Sequence, residues 1–363
     1  MDFLTTDIKG STLNVTTTAE PTIPLIYTSQ TDATIIASLG ITIGILGMIG
    51  NLLVLLAVSL SKDLQNSTNV FVVSLSISDF ISSVSLPFQG ISVLSESGWP
   101  FGKGMCDLLG TIFIWSNPTS ILTLTAIAVN RYIIITKGKR VQQKIYTHRG
   151  NAFMVALVWL FPFLVLVMPQ LIPATGGIVY APNFRSCMWD LEHPLAIVFQ
   201  SIASIIFTGC TFIIFFCYIA IYRFVRGHVI NTRSRLRESN DNLAINGRTN
   251  QQSSRKGPSV KQINITKNLA LVVVVFFICV LPFALNLYSP HLGLHTAYLA
   301  GLVLLPNCLN PMIYAARHPC FKVVFRSMFT CRFHNIPHPS EWLKALLHDA
   351  GSVNRTTQSS STV

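Results

Sequence analysis

The sequence predicts an all-α membrane protein, a bundle of seven transmembrane helices followed by a short amphipathic helix in the interface. Three observations carry that prediction. Half of the 363 residues are hydrophobic and only 11% are charged, against about 25% charged in a soluble domain. Mostly apolar runs of the ~20 residues that a bilayer crossing needs recur along the chain. The Lys and Arg residues fall almost entirely into alternate loops between those runs.

The runs cover 33–60, 69–94, 104–136, 152–174, 195–223, 267–289 and 295–316. The third is long enough to require a tilt. The seventh contains "LPNCLNPMIY", whose prolines are tolerated where neighbouring helices satisfy the freed carbonyls. Residues 1–32 are polar and Thr-rich, without the basic start and apolar core of a cleavable signal peptide, and read as a disordered extracellular tail. Residues 33–316 form the bundle. Residues 317–331 form the interfacial helix, with Phe321, Val324, Phe325 and Met328 at helical spacing and Lys322 and Arg326 opposite. Residues 332–363 are a tail. The loop 226–266 is polar and basic and predicts no fixed structure.

Orientation follows from charge. With the N-terminus outside, only Lys9, Lys103 and Arg185 of 26 basic residues lie outside, as cytoplasmic enrichment of Lys and Arg requires. The expected location is therefore the plasma membrane, N-terminus extracellular and C-terminus cytoplasmic. Asn14 of "NVT" is a glycosylation sequon on the outer side. Cys331 closes the interfacial helix, where palmitoylation would add an anchor; an unmodified thiol is the alternative.

Composition also excludes classes. The net charge of +12 is broken up by apolar runs and accompanies no nucleic-acid-binding motif. Eight cysteines lack CxxC spacing, against a zinc framework. No nucleophile–base pair or metal cluster points to catalysis, so no enzyme is predicted. No internal repeat of the transporter kind is evident.

The polar residues inside the spans carry the functional reading. "GNLLV" holds Asn51, "LSISD" holds Asp79 and "NRY" holds Asn130, Arg131 and Tyr132; Trp159 lies in the fourth span and Tyr218 in the fifth. "FFICVLP" holds Phe276 and Pro282, and "NPMIY" holds Asn310, Pro311 and Tyr314. With these motifs in order, the chain resembles a rhodopsin-type (class A) G-protein-coupled receptor across its membrane region. The melatonin-receptor-like subgroup is the nearest, on "NRY", "NVFVVSLSISD" and "YAPNFRSC".

The resemblance implies a Cys106–Cys187 disulfide over the bundle mouth. It implies a sodium ion, as the only non-protein group expected, among Asp79, Ser120, Asn307 and Asn310. The alternative is a protonated Asp79 held by Asn51 and Asn310. It implies that Arg131, with Asn130, Tyr132, Tyr218, Phe276, Pro282, Asn310, Pro311 and Tyr314, couples helix movement to a heterotrimeric G protein, Gi-type coupling being the first guess. A snorkelling surface Arg is the alternative. The usual acidic residue beside Arg131 is Asn130 here, and Gln262 stands where a second acidic partner is common, which implies signalling without ligand.

The ligand-binding residues carried over are Phe113, Ile114, Asn117, Trp189, Phe199, Phe283 and Leu287, an apolar set suited to a small lipophilic extracellular molecule. Phe113 replaces the Asp of amine receptors and Leu304 the retinal-binding Lys of visual pigments, so neither ligand is expected. Leu191 and "MPQL" depart from the melatonin pattern. Tail serines and threonines imply arrestin as a partner, and Ser361 and Val363 imply a PDZ-domain protein adding the tail as a strand. Membrane lipid is a partner throughout and nucleic acid is not. The reading from a different class is an adhesion or scaffold protein working through that tail without G-protein output.

Overall fold

The computed structural model describes residues 29–246, 271, 274–275, 277–282 and 294–347. The expected roles of Asn14, Gln262, Phe276, Phe283, Leu287, Ser361 and Val363 lie outside the described residues.

Helix α1 spans Gln30–Leu60. It starts where the Ser29 hydroxyl accepts the Asp32 backbone N–H at 3.1 Å, capping one of the orphan donors of a helix start. Ala33, Ala37, Gly40, Gly44 and Gly47 are buried along one face. That stripe lets the backbone of α2 (Asn69–Leu94) come close. A Cβ added at Gly44 would lie 2.9 Å from Pro87 Cδ and 3.0 Å from the Ser83 carbonyl oxygen. In α2 the buried side chains include Ser74, Ser76, Ser78, Ser82, Ser83 and Ser85, an unusual lining for a core. Several close on backbone carbonyls or on one another, as when Ser78 meets Ser120 at 2.9 Å.

Helix α3 (Gly102–Tyr132) is the central rod, packed against α2 and α6. It widens into a π-helical turn at Ile133–Lys137 and stops at Gly138, whose φ of 89° favours glycine. The short α4 (Lys139–Ile145) leads to Tyr146, buried edge-on to Phe71. Helix α5 (His148–Pro162) is capped by Thr147 and continues through π and 3₁₀ turns to Leu171. Strands β1 (Ile178–Ala181) and β2 (Ser186–Trp189) pair antiparallel, Tyr180 opposite Cys187.

Helix α6 runs from Ala196 to Asn246, which corrects the expectation that structure lapses at 226. The physical reason is legible afterwards: residues 228–246 contain no Gly or Pro, and a helix already nucleated in lipid extends at little further cost. The seventh span is two helices, α7 (Leu294–Leu304) and α8 (Pro306–Arg317), broken at Leu305 with Pro306 opening the second. Among the described residues five helices are long and apolar enough to cross a membrane: α1, α2, α3 with its π turn, α5 with its turns, and α6 to Gly227.

Helix α9 (Pro319–Phe329) lies beyond a break at His318 and buries Phe321, Val324 and Phe325 while Lys322 and Arg326 stay exposed. Order does not end at Cys331. The chain turns through Phe333–Asn335 and reaches a helical stretch at 341–347. There Ile336 and Leu343 enter the same core cluster as α1, α2 and α9. Backbone bonds run from Lys62 N–H to the His338 oxygen and from Ser340 N–H to the Leu60 oxygen, both 2.9 Å.

Candidate functional site

Three groups of side chains occupy three depths of the bundle. At the disulfide end, Cys106 near the start of α3 is bonded to Cys187 of β2, their Cα atoms 5.3 Å apart. The hairpin is tied down further by polar contacts. Gln89 Oε1 accepts the Cys187 N–H at 3.2 Å. Ser92 donates to the Arg185 oxygen at 2.8 Å, and Arg185 Nη1 donates to the Val93 oxygen at 2.9 Å. Gly110 permits the hairpin to sit on α3, because a Cβ there would lie 2.6 Å from Ile178 Cγ2 and 3.1 Å from the Cys187 oxygen.

Of the expected ligand-binding residues, Ile114 and Trp189 meet in one apolar cluster with Leu166, Val167, Ile178 and Ile202. Trp189 Nε1 is buried with no hydrogen-bond partner among the described residues. Phe113 faces a different cluster, with Ile43, Leu86, Leu304 and Cys308. Asn117 Nδ2 donates to the Phe113 carbonyl at 2.8 Å, and Phe199 is buried near the start of α6. Sequence reasoning missed Trp115. Its Nε1 donates to the Trp159 oxygen at 2.9 Å, its ring stands edge-on to Trp159, and Trp159 Nε1 reaches Ser74 at 3.0 Å. A Trp of α3 and one of α5 at matching depth was the available signal.

At mid-depth, Asp79 is 1% exposed. Its two carboxylate oxygens accept one bond each, from Ser120 Oγ and from Asn310 Nδ2, both at 2.8 Å. Asn51 does not reach it, which corrects one half of the expected alternative. Instead Asn51 Nδ2 bridges the Gly47 and Asn307 backbone oxygens at 2.9 and 2.7 Å. Asn307 uses its side chain on Ser82 at 3.5 Å. The amide oxygens of Asn51 and Asn310 are buried and have no partner among the described residues. A carboxylate with nearby hydroxyl and amide oxygens is a hard donor set, the kind that suits a small hard cation.

At the other end, Arg131 closes α3 and is 4% exposed. Among the described residues no carboxylate pairs with it; the neutral phenols of Tyr218 and Tyr314 are its polar neighbours. Its Nε and both phenol oxygens lack hydrogen-bond partners among the described residues. Asn130 is fully buried and both its amide atoms are unpartnered in the same sense. Tyr132 points the other way, against Phe216 with ring centroids 5.8 Å apart. Tyr314 stacks on Phe321 of α9 at 5.6 Å. Pro311 lies against Gly50, where a Cβ would approach to 2.9 Å, and Pro282 is partly buried on the helical stretch 277–282. Cys331 is exposed, with φ 52°.

The chain is similar to several known proteins. The family model for the 7 transmembrane receptor (rhodopsin family) matches residues 50–314. The octopamine receptor beta-2R of Chilo suppressalis is 27% identical over 90% of the chain and 86% of its own length. The GQ-coupled rhodopsin of Mizuhopecten yessoensis is 31% identical over 77% of the chain and 56% of its length. The mouse melatonin receptor type 1A is 33% identical over 54% of the chain and 53% of its length. The squid rhodopsin crystal structure superposes with a TM-score of 0.68 at 22% identity, covering 90% of this chain and 96% of that one.

Proposed function

The chain belongs to the rhodopsin family of seven-transmembrane receptors, and on that premise we propose how its own residues carry the signal. It is a multi-pass membrane receptor of the G-protein-coupled class, not an enzyme. The observation that carries the mechanism is Arg131, buried at the bundle end with two phenols and no described carboxylate beside it. Outward movement of the sixth span opens a cleft there. The guanidinium then meets the carbonyl-rich C-terminal end of a G-protein helix, while Tyr218 and Tyr314 gain partners for their hydroxyls. Ligand bound at the disulfide end biases this two-state bundle, and can do so only by binding the two states unequally.

The polarity proposed is N-terminus outside, supported by the crowding of Lys and Arg into the loops at the Arg131 end. The ligand is a small, largely apolar extracellular molecule, supported by the cluster around Ile114 and Trp189. Leu304 at the position of the retinal lysine argues against a Schiff-base chromophore despite the opsin likeness. Phe113 argues against an amine held by a carboxylate, despite the likeness to an octopamine receptor. A melatonin-like indole and Gi-type coupling are the first to be tried. Asp79, Ser120, Asn307 and Asn310 would hold a sodium ion favouring the closed bundle. Arrestin and a PDZ-domain protein would engage the tail residues up to Ser361 and Val363.

Replacing Arg131→Ala in full-length receptor tests the central claim. Surface expression is expected to persist while guanine-nucleotide exchange falls to the level of receptor-free membranes. Exchange that survives the substitution overturns the mechanism, and absence of exchange from the wild-type receptor favours the scaffold reading.

A further inference from the structure

The segment after α9 builds a groove that the signalling mechanism does not use. Its walls are Leu53, Leu56 and Leu60 of α1, Met328 and Phe329 of α9, and Phe333, Trp342, Leu346 and Leu347 beyond it. The space within this open groove is about 410 Å³, within the range of small-molecule sites. One wall is a membrane-spanning helix, so the groove opens to acyl chains rather than to water. From Leu60 to Leu53 is seven residues, and at 1.5 Å rise that reaches roughly 10 Å into the leaflet. A headgroup alone does not go so deep.

The 341–347 stretch is anchored, not adrift. Leu343 is 3% exposed within the core cluster. Glu341 accepts from both Lys62 of the first loop and Lys344, and His338 Nδ1 lies 3.0 Å from Asp63. Yet Trp342 and Phe329 remain 53% and 70% exposed. Trp rings half in and half out are characteristic of the interface between chains and headgroups. The charge around them is one-sided: from 317 to 347, Arg317, Lys322, Arg326, Arg332 and Lys344 stand against Glu341 alone. A basic cluster next to a membrane helix attracts anionic lipid.

We propose that the stretch 341–347 is a second in-plane helix and that the groove binds an anionic phospholipid of the leaflet at the Arg131 end. One acyl chain lies along Leu53, Leu56 and Leu60 beneath Trp342, and the headgroup meets Lys62 and Lys344, which closely follow the groove-lining Leu60 and Leu343 in sequence and share Glu341. The site depends on neither the G protein nor the extracellular ligand.

Full-length receptor in nanodiscs provides the test. Fluorescence of the receptor minus that of its Trp342→Phe variant isolates one ring, and brominated phosphatidylserine or brominated phosphatidylcholine serves as quencher. Quenching by the serine lipid is expected at about fivefold lower mole fraction, the effect of roughly one additional basic contact. The double variant Lys62→Gln/Lys344→Gln should erase that preference while leaving quenching itself. Leu346→Glu, at an exposed position, should remove the quenching. Equal quenching by both lipids reduces the groove to ordinary annular contact and overturns the proposal. Absence of quenching by either lipid places the ring off the membrane and overturns it as well.

Discussion

Replacing Asp79 separates hydrogen bonding from charge. The carboxylate is buried, accepts from Ser120 and Asn310, and no cation-bearing side chain bonds it among the described residues. Asp79→Ala strands the buried Asn310 amide donor, while Ser120 still has Ser78 2.9 Å away, for a loss of roughly 1–3 kcal/mol. Asp79→Asn behaves differently. The introduced amide offers an oxygen to Ser120 and an N–H₂ group towards Asn310, which now presents its own N–H₂. Rotating the Asn310 amide brings forward its oxygen, at present without a partner among the described residues, and the bond re-forms. The amide variant should therefore lose only about 1 kcal/mol. What it loses entirely is the charge. If the wild type binds sodium, raising sodium to ten times its Kd adds about 1.4 kcal/mol, and Asp79→Asn should gain nothing. The assay is thermal unfolding of purified receptor in sodium chloride against the chloride of a bulky organic cation at equal ionic strength. Equal sodium responses in wild type and amide variant refute the cation site. An amide variant as unstable as the alanine variant refutes the rotation argument.

Other consequences follow from the same geometry. Asn130→Asp places a carboxylate next to Arg131 in a buried setting, and a coupling of about 1–3 kcal/mol should lower ligand-independent nucleotide exchange about fivefold or more in reconstituted receptor. Gly110→Val drives a side chain into Ile178 and the Cys187 oxygen; overpacking of about 1–3 kcal/mol should lower the melting temperature and ligand affinity together, with surface expression as the check. Cys106→Ser opens a bridge between residues 81 apart, and loop closure on that scale corresponds to about 4–5 kcal/mol, read as loss of folded receptor at the surface. The Lys62 and Lys344 ammonium groups lower the Glu341 pKa below its ordinary 4.5. The docking this carboxylate contributes is thus complete above pH 4.5 and lost as pH falls through the lowered value. Hydrogen exchange across 336–347 should accelerate only in that acid window.

The five spans that the described residues carry whole were legible because a bilayer imposes length and apolarity on contiguous residues. The seventh span was read as one helix tolerating its prolines, yet it breaks at Leu305 just before Pro306, while Pro311 is carried inside α8. What else escaped was set by contacts distant in sequence. Glu341 meets Lys62 across 279 positions, and nothing local in "PHPSEWLKALL" names that partner. Asp79 was recognisable as a buried carboxylate, yet its companions came from resemblance, and the alternative that placed Asn51 on it does not hold for Asn51. An Asn on α1 has several acceptors within reach, and the Gly47 and Asn307 carbonyls took it. The length of α6 was missed because a polar sequence was read as unstructured, although its lack of Gly and Pro permits a helix.

The two buried ionisable groups are held under opposite terms, and that difference locates where the bundle can change. Asp79 has a donor on each oxygen, one from α3 and one from α8, so separating those helices at mid-depth leaves a desolvated carboxylate short of partners. Arg131 lacks a described carboxylate and lies among phenols whose hydroxyls have no described partner. Opening the bundle there breaks no described ion pair and exposes three polar groups to new partners. Among the described residues the bundle is fastened through Asp79 in its middle, and no ion pair fastens it at the Arg131 end. We propose that a partner supplying backbone carbonyls at that end offers Arg131, Tyr218 and Tyr314 the acceptors that the described residues do not.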